Sequence, residues 1–145
     1  MTPLIEILCS VSHEEAAQAS IEASCKEIGG LLIGRRVKEE TDEVLLMVQL
    51  LHATSASKHA TALSHALQQQ VITSFHFVTC DLVKISFDPS ADLREQMRDF
   101  PLCPDESWFP AIRDQRQVYV CISRPVMVAK QAAWLLEHEV KWAYV

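Results

Sequence analysis

The sequence lacks any apolar segment long enough to cross a membrane. No apolar run approaches the roughly 18 residues of a membrane-spanning helix. The first residues, Met1–Leu4, also lack the basic stretch that begins a secretory signal peptide. These two absences predict a soluble, cytoplasmic protein with no membrane partner.

Basic residues are scarce relative to acidic ones. The chain has 13 Lys and Arg against 19 Asp and Glu, which gives a net charge of −6. A negative surface repels phosphate backbones, so we expect no nucleic-acid partner. The basic stretch Arg35-Arg36-Val37-Lys38 is too short to change this expectation.

The cysteines lack the spacing of a zinc site or a disulfide framework. There are five, an odd number, and no two of them form a CxxC pair. Cys9, Cys80 and Cys121 lie in apolar runs, where a free thiol usually acts as a small buried hydrophobe. The other two are Cys25 and Cys103. We therefore expect neither disulfides nor a cysteine zinc site.

The motifs of several enzyme classes are missing as well. The sequence has no G-x-S-x-G nucleophile elbow, no phosphate-binding loop and no G-x-G-x-x-G fingerprint. His76, Cys80 and Asp81 are neighbours in the sequence. They lie on predicted strands, however, whose alternating side-chain directions disfavour a nucleophile and base pair.

Six histidines are candidates for metal ligands. His59 and His65 are six positions apart on a predicted helix, which places them about 120° from each other rather than on one face. Two others fall in predicted capping and turn segments. The remaining pair, which strand ends could bring near Glu27, is His52 and His76.

Apolar periodicity predicts an α/β chain that forms one domain over residues 1–145. Ala17, Ile21 and Cys25 recur every fourth residue and predict a helix that begins at the capping-box residues Ser12 and Glu15. Residues 101–117 contain three prolines and are expected to form a long surface loop. The other predicted strands lie at 4–9, 31–37, 44–51 and 118–122, and at 75–80 and 82–87, which could be one long strand or two. The other predicted helices lie at 58–72 and after Asp88.

The last 16 residues of the sequence are compatible with either a helix or a hairpin. Residues 130–137 have helical propensity. Yet the apolar residues 133–136 and 140–145, separated by charged residues, also fit a hairpin.

Residues 27–34 carry a family resemblance. Glu27 lies just before Gly29 and Gly30, which permit a tight backbone and the close approach of another segment. The pattern Glu-x-Gly-Gly-x-Leu-x-Gly after a strand and a helix resembles the opening of the MPN (JAB/Mov34) domain family. The resemblance implies a single MPN-like domain, an α/β fold with a mixed β-sheet and helices packed on it. It also implies a terminal hairpin and a general-base position for Glu27.

Active members of that family, the JAMM metalloproteases, hold zinc with a His-x-His-Pro motif followed by Ser and Asp. The similar segment here is residues 82–89, in which Ser86 and Asp88 take the histidine positions. The motif's Asp falls at Asp99, or at Asp92 in a shorter register. Serine is a poor zinc ligand, and an oxygen-only set suits a hard ion held weakly. The resemblance thus implies vestigial metal positions at Ser86, Asp88 and Asp99, with no cofactor bound.

The expected function is therefore that of a non-catalytic, pseudo-JAMM protein that acts as an interaction or scaffold module. Its expected partner is another protein or a second copy of the chain. The predicted interaction residues are Trp134, Trp142 and Tyr144, because aromatic side chains dominate interface cores. Three alternatives stay open: the tryptophans pack in the chain's own core, the chain is a small-ligand or regulatory module, or it is a JAMM-class zinc metalloprotease or isopeptidase with atypical ligands.

Overall fold

The computed structural model describes residues 2–38, 40–51, 58, 61, 64–65, 72–124 and 126–145. They belong to two units, an N-terminal unit (Thr2–Thr79) and a C-terminal unit (Cys80–Val145). Strand β4 (Ile72–Ser86) contributes its first part to one unit and its second part to the other. The predicted α/β class, a β-sheet with helices packed on it, is confirmed. Every pairing whose register is defined within the described residues is antiparallel, whereas the family resemblance implies a mixed sheet.

The N-terminal unit has its elements in the order strand, helix, strand, strand, and then β4. They are β1 (Thr2–Ser10), α1 (Glu14–Ile28), β2 (Gly30–Val37) and β3 (Glu43–Leu50). The strand order is β2-β3-β1-β4. β1 and β2 are both antiparallel to β3, so they run parallel to each other with β3 between them. This is a split β-α-β arrangement, and it agrees with the predicted strands at 4–9, 31–37 and 44–51 and with the predicted first helix. The predicted helix at 58–72 lies largely outside the described residues.

The core of the N-terminal unit lies between α1 and the sheet. Ala17, Ile21 and Cys25 are buried, which confirms the predicted apolar stripe of the helix. On β3, three consecutive residues, Leu46, Met47 and Val48, are fully buried. Because successive side chains of a strand point to opposite faces, β3 is covered on both faces, as its continuous apolar run predicts.

The start of α1 differs from the predicted capping box. His13, not Ser12, is the N-cap, and its side chain makes no capping hydrogen bond. Ser12 instead lies in a 3-10 turn (Val11–His13), and its N–H donates to the side chain of Ser10. Glu14 in the first turn of α1 accepts a hydrogen bond from Nη2 of Arg35 on β2, at 2.7 Å. This contact joins the helix to the sheet in place of the predicted cap.

The end of α1 shows why two glycines follow Glu27. Gly29 has a φ of 73°, a left-handed conformation that favours glycine, and its N–H donates to the carbonyl of Cys25 at 3.0 Å. A Cβ on Gly30 would lie 3.1 Å from Sγ of Cys25 and 3.5 Å from the carbonyl oxygen of Gln49. The close approach that the sequence predicts at this pair is confirmed.

The C-terminal unit is built on the second part of β4. Its other elements are α2 (Leu93–Met97), β5 (Ser107–Pro110), β6 (Gln117–Ile122), α3 (Ala129–Glu137) and β7 (Lys141–Tyr144). β6 pairs with β4 on one side and with β5 on the other, and β7 also pairs with β4. β4 is one long strand, which is one of the two alternatives that the sequence leaves open.

Three predictions for this unit are wrong. The predicted loop at 101–117 contains β5, which includes Pro110 and lies at the edge of the described sheet, where a strand tolerates proline. The predicted helix start at Asp88 is wrong because Asp88 binds Ser90 in a turn, and α2 is capped by Asp92. The predicted hairpin at the end of the chain is wrong in its first arm, because residues 129–137 form α3.

The core of the C-terminal unit is covered by α3. Trp134 and Leu135 are 6% and 1% exposed and pack with Val83 and Ile85 of β4. Phe100 meets Trp134 edge to face, with ring centroids 5.1 Å apart. Trp134 is therefore a core residue and not the interface residue that the sequence predicts.

Glu106 is the centre of a polar network in this unit. It accepts hydrogen bonds from the N–H groups of Cys103 and Ser123, both at 2.8 Å, and from Nε2 of Gln131 at 2.7 Å. Gln131 is fully buried on α3 and also donates to the carbonyl of Pro101 at 3.1 Å. Burial alone would raise the pKa of Glu106, but these donors together hold it below its ordinary value. The network fastens α3 to the segment before β5 and to the residue that follows β6.

No helix within the described residues is both long and apolar enough to span a membrane.

Candidate functional site

A polar cavity of about 630 Å³ lies at one end of the C-terminal unit. Three segments line it: residues 86–96 from the last residue of β4, residues 114–117 up to the first residue of β6, and residues 138–141 from the end of α3 to the first residue of β7. These segments meet because β4 is antiparallel to both β6 and β7, so the end of β4 lies beside the starts of the other two. Ser86 at the end of β4 pairs with both Gln117 and Lys141, the first residues of β6 and β7. These two registers fix the place where the three strands meet.

One wall of the cavity carries a paired charge. Nε and Nη2 of Arg116 donate to the two carboxylate oxygens of Asp114, each at 3.2 Å. The backbone N–H of Arg116 also donates to Asp114, at 3.0 Å. These hydrogen bonds lower the pKa of Asp114, so its carboxylate is ionised at neutral pH.

The strand end contributes Ser86 and Asp88 to the cavity. Oδ1 of Asp88 accepts hydrogen bonds from the N–H and the hydroxyl of Ser90, at 3.0 and 2.7 Å. The backbone bond and then the hydroxyl bond lower the pKa of Asp88. Ser86 accepts a hydrogen bond from Nε2 of Gln117 at 3.4 Å. The strand end therefore supplies an ionised carboxylate beside neutral polar groups.

The helix end contributes His138, Glu139 and Lys141. The ring of His138 stacks on Trp134, with centroids 3.9 Å apart and planes 19° apart. Nδ1 of His138 lies 2.8 Å from the carbonyl of Trp134, so it carries the proton and donates to that oxygen. Glu139 has a φ of 53°, in the left-handed region where glycine is usual.

The predicted vestigial metal positions are only partly brought together. Ser86 and Asp88 line the cavity, whereas the exposed Asp99 does not. Glu27, the predicted general base, is exposed in the last turn of α1 and does not line this cavity. No group of three or more His, Cys, Asp and Glu side chains within the described part of the chain is placed to hold a metal ion. The vestigial roles of these four residues stay predictions.

The candidate histidine ligands give no further support for a metal site. His76 is exposed on β4, and His65 is exposed in the segment before it. His52 and His59 lie outside the described residues.

A second candidate surface is the outer edge of β7. Its four residues, Lys141–Tyr144, are all exposed, and within the described residues β7 pairs only with β4. Trp142 and Tyr144 are 41% and 47% exposed and meet edge to face, with ring centroids 5.6 Å apart. The hydroxyl of Tyr144 accepts a hydrogen bond from the N–H of Met127 at 3.3 Å. These two aromatic residues keep the exposure that their predicted interface role requires.

The backbone of β7 has one row of polar groups directed away from β4. The N–H of Val145 donates to the carbonyl of Leu82 at 3.0 Å, so Val145 faces β4. Because backbone groups of successive strand residues alternate between the two edges, Ala143 also faces β4, whereas Trp142 and Tyr144 face outward. We call the outward backbone groups and side chains of Trp142 and Tyr144 the β7 edge.

Sequence reasoning missed Arg116, Glu139 and Lys141 as residues of a common cavity. They become neighbours only through the pairing of β4 with β6 and β7, which joins positions as distant as Ser86 and Lys141. Glu139 did carry a usable signal, because a residue just after an amphipathic helix is commonly the one with positive φ.

Comparisons with known proteins give only distant likenesses. No protein-family model matches the chain, and no curated protein matches it. Among solved structures, a protein from Bacteroides thetaiotaomicron is 12% identical, with a TM-score of 0.45, over 99% of this chain and 93% of that chain. An unknown protein from Galdieria sulphuraria is also 12% identical, with a TM-score of 0.38, over 99% of this chain and 96% of the other. Likeness at this level carries no conclusion about function.

Proposed function

We propose that this chain is a non-catalytic protein-interaction module that self-associates through the β7 edge. The observation that carries the proposal is the outward row of backbone N–H and C=O groups at Trp142 and Tyr144, flanked by two exposed aromatic rings. An exposed strand edge of this kind is a template for the addition of a strand from another chain.

The apolar face beside the β7 edge favours such an addition. Trp142 and Tyr144 lie opposite Ile85 and Val83 of β4, so their side chains point to the same face of the sheet. Ile85 and Val83 are fully buried in the core of the unit. The core face therefore continues outward to the edge of the sheet, and a further strand would extend it and cover the two aromatic rings.

A second copy of the chain is the partner that this edge fits best. Two identical edges that pair antiparallel are related by a two-fold axis, and their pairing leaves neither edge open for further growth. The edge is only four residues long, so we expect a weak dimer, with a dissociation constant on the order of micromolar, or about −8 kcal/mol. A different protein could add a strand to the β7 edge in the same way, and the product would then be a heteromeric complex.

Light scattering over a concentration series tests the proposal. The wild-type chain should change from monomer to dimer as its concentration rises through the micromolar range. Trp142→Asp places a charge on the β7 edge and should keep the chain monomeric. Leu136→Asp is the matched control, because Leu136 is 80% exposed on α3, outside the edge, and should leave the dimer intact.

Two results would contradict the proposal. One is a wild-type chain that remains monomeric at all concentrations and recovers no partner on pull-down. The other is a dimer that Leu136→Asp disrupts and Trp142→Asp does not, which would move the interface to α3.

The resemblance of residues 27–34 to the MPN family is compatible with this role, since a member without zinc would act by contact. The alternative, a zinc peptidase with atypical ligands, makes a different prediction about metal content. With Ser86 and Asp88 in place of imidazoles, the purified, untagged chain should hold well under one equivalent of zinc after dialysis. Elemental analysis that finds a full equivalent would favour the peptidase.

A further inference from the structure

We propose that the cavity at the end of β4 binds a small zwitterion, a molecule that carries both an ammonium and a carboxylate group. The cavity brings two carboxylates, Asp88 and Glu139, together with the ammonium of Lys141. Its volume of about 630 Å³ lies within the range of small-molecule sites in proteins. The proposal concerns a different surface from the β7 edge and does not depend on dimer formation.

The charges that remain after internal pairing decide the class of ligand. Asp114 and Arg116 form an ion pair through two side-chain hydrogen bonds at 3.2 Å, so the pair carries no net charge. Asp88, Glu139 and Lys141 are the other side chains of fixed charge that line the cavity. A ligand ammonium can pair with the two carboxylates, and a ligand carboxylate can pair with Lys141.

The helix beside the cavity reinforces the site for the ammonium. His138 and Glu139 directly follow the last residue of α3, so the carbonyl end of that helix lies at the cavity. The C-terminal end of a helix favours positive charge. Glu139 thus adds its carboxylate at a position where the backbone already favours a cation.

The neutral lining suits a small polar molecule. Ser86, Gln96 and Gln117 supply hydroxyl and amide groups that can donate to or accept from a ligand. Phe87, Ala91 and Val140 supply a limited apolar surface. A wholly apolar ligand would leave the charged groups of the cavity without partners, which disfavours binding of that class.

Thermal unfolding of the full chain in the presence of chosen probes tests the proposal. The probes are each of the standard L-amino acids, together with putrescine, which has only ammonium groups, and succinate, which has only carboxylates. At least one amino acid should raise the melting temperature in a saturable way, and neither single-charge probe should match it. The measurement is made on the wild-type chain and on Trp142→Asp, so that the state of the dimer does not affect the reading.

Three variants locate the effect, with binding of the active amino acid measured by titration calorimetry. Lys141→Met and Glu139→Gly should each weaken binding about tenfold or more, because each removes a charge-assisted partner. Glu139→Gly should also raise the melting temperature of the free chain, since glycine adopts a φ of 53° without strain. Glu137→Gln, an exposed change outside the cavity lining, is the matched control and should bind as the wild type does.

Three outcomes would contradict the proposal. The zwitterion site is wrong if no amino acid changes the melting temperature. It is also wrong if putrescine or succinate alone stabilises the chain as much as any amino acid does. If an amino acid binds but Lys141→Met and Glu139→Gly bind it unchanged, then the binding site lies elsewhere.

Discussion

At the scale of single residues, Gly30 shows how one missing side chain sets the packing of α1 against β2. A Cβ at Gly30 would meet Sγ of Cys25 at 3.1 Å, tighter than most such contacts, while the backbone of β3 lies only slightly farther away. Among the glycines of the described residues, Gly29 has a positive φ and Gly30 does not. The constraint at Gly30 is therefore steric.

We predict that Gly30→Ala lowers the free energy of unfolding by about 1–2 kcal/mol and that Gly30→Val lowers it further, because both crowd Cys25. Denaturant unfolding measures the loss. Cys25→Ala removes the crowded sulfur, so the double variant should lose less than the sum of the two single variants. If the losses of the two single variants simply add, the proposed crowding between position 30 and Cys25 is wrong.

Glu106 illustrates a residue whose charge stabilises the fold. Its pKa is lowered in the folded state, so it contributes stability that is complete above the ordinary glutamate pKa of about 4.3 and is lost as the pH falls through the folded value. At neutral pH, Glu106→Gln should destabilise the chain by about 1–3 kcal/mol, since hydrogen bonds to a charged group become hydrogen bonds to a neutral one.

The same variant makes a prediction about pH dependence. In acid, the protonated Glu106 of the wild type resembles glutamine, so the stability difference between the two chains should shrink as the pH falls below about 4. Urea unfolding of both chains at neutral and acidic pH measures this difference in unfolding free energy. A difference that stays constant with pH would show that the ionised form of Glu106 is not what the network stabilises.

At the scale of elements, α3 and β7 divide the aromatic residues of the final segment between two roles. Trp134 faces the core from α3, whereas Trp142 lies on the edge strand β7. Trp134→Ala should cost about 3–5 kcal/mol of unfolding free energy, as expected for loss of a large core side chain. Trp142→Ala should cost less than about 1 kcal/mol in the monomer. Equal losses in denaturant unfolding would contradict this division.

The elements that the sequence predicts well are those with a local pattern. The stripe of Ala17, Ile21 and Cys25 predicts α1, and the continuous apolar run of β3 predicts a strand covered on both faces. The sequence predicts α3 less well, because the family resemblance implies a hairpin where residues 130–137 have helical propensity. β5 has only four residues and ends in a proline, which left its local signal too weak to separate it from a loop.

The candidate sites could not be predicted to the same extent, for a physical reason. The cavity and the β7 edge both depend on the pairing of β4 with β7, a contact between residues such as Ile85 and Trp142 that are far apart in the chain. A single sequence contains no local signal for such a register. The aromatic residues Trp142 and Tyr144 could be predicted to matter, but their placement on β7 beside β4 could not.

At the scale of the whole molecule, two copies of the chain are proposed to pair through the β7 edge. Before association, the N–H groups of Trp142 and Tyr144 face outward, whereas Val145 donates to β4. Strand pairing would bury the first two in new hydrogen bonds and leave the third unchanged. Strand pairing therefore predicts which backbone N–H groups become protected, and not only a change in mass.

Amide hydrogen exchange followed by NMR, over the concentrations at which light scattering finds the dimer, tests this pattern most directly. The N–H groups of Trp142 and Tyr144 should become protected as the dimer forms, while that of Val145 should be protected at every concentration. A dimer in which Trp142 and Tyr144 still exchange as fast as in the monomer would contradict the account.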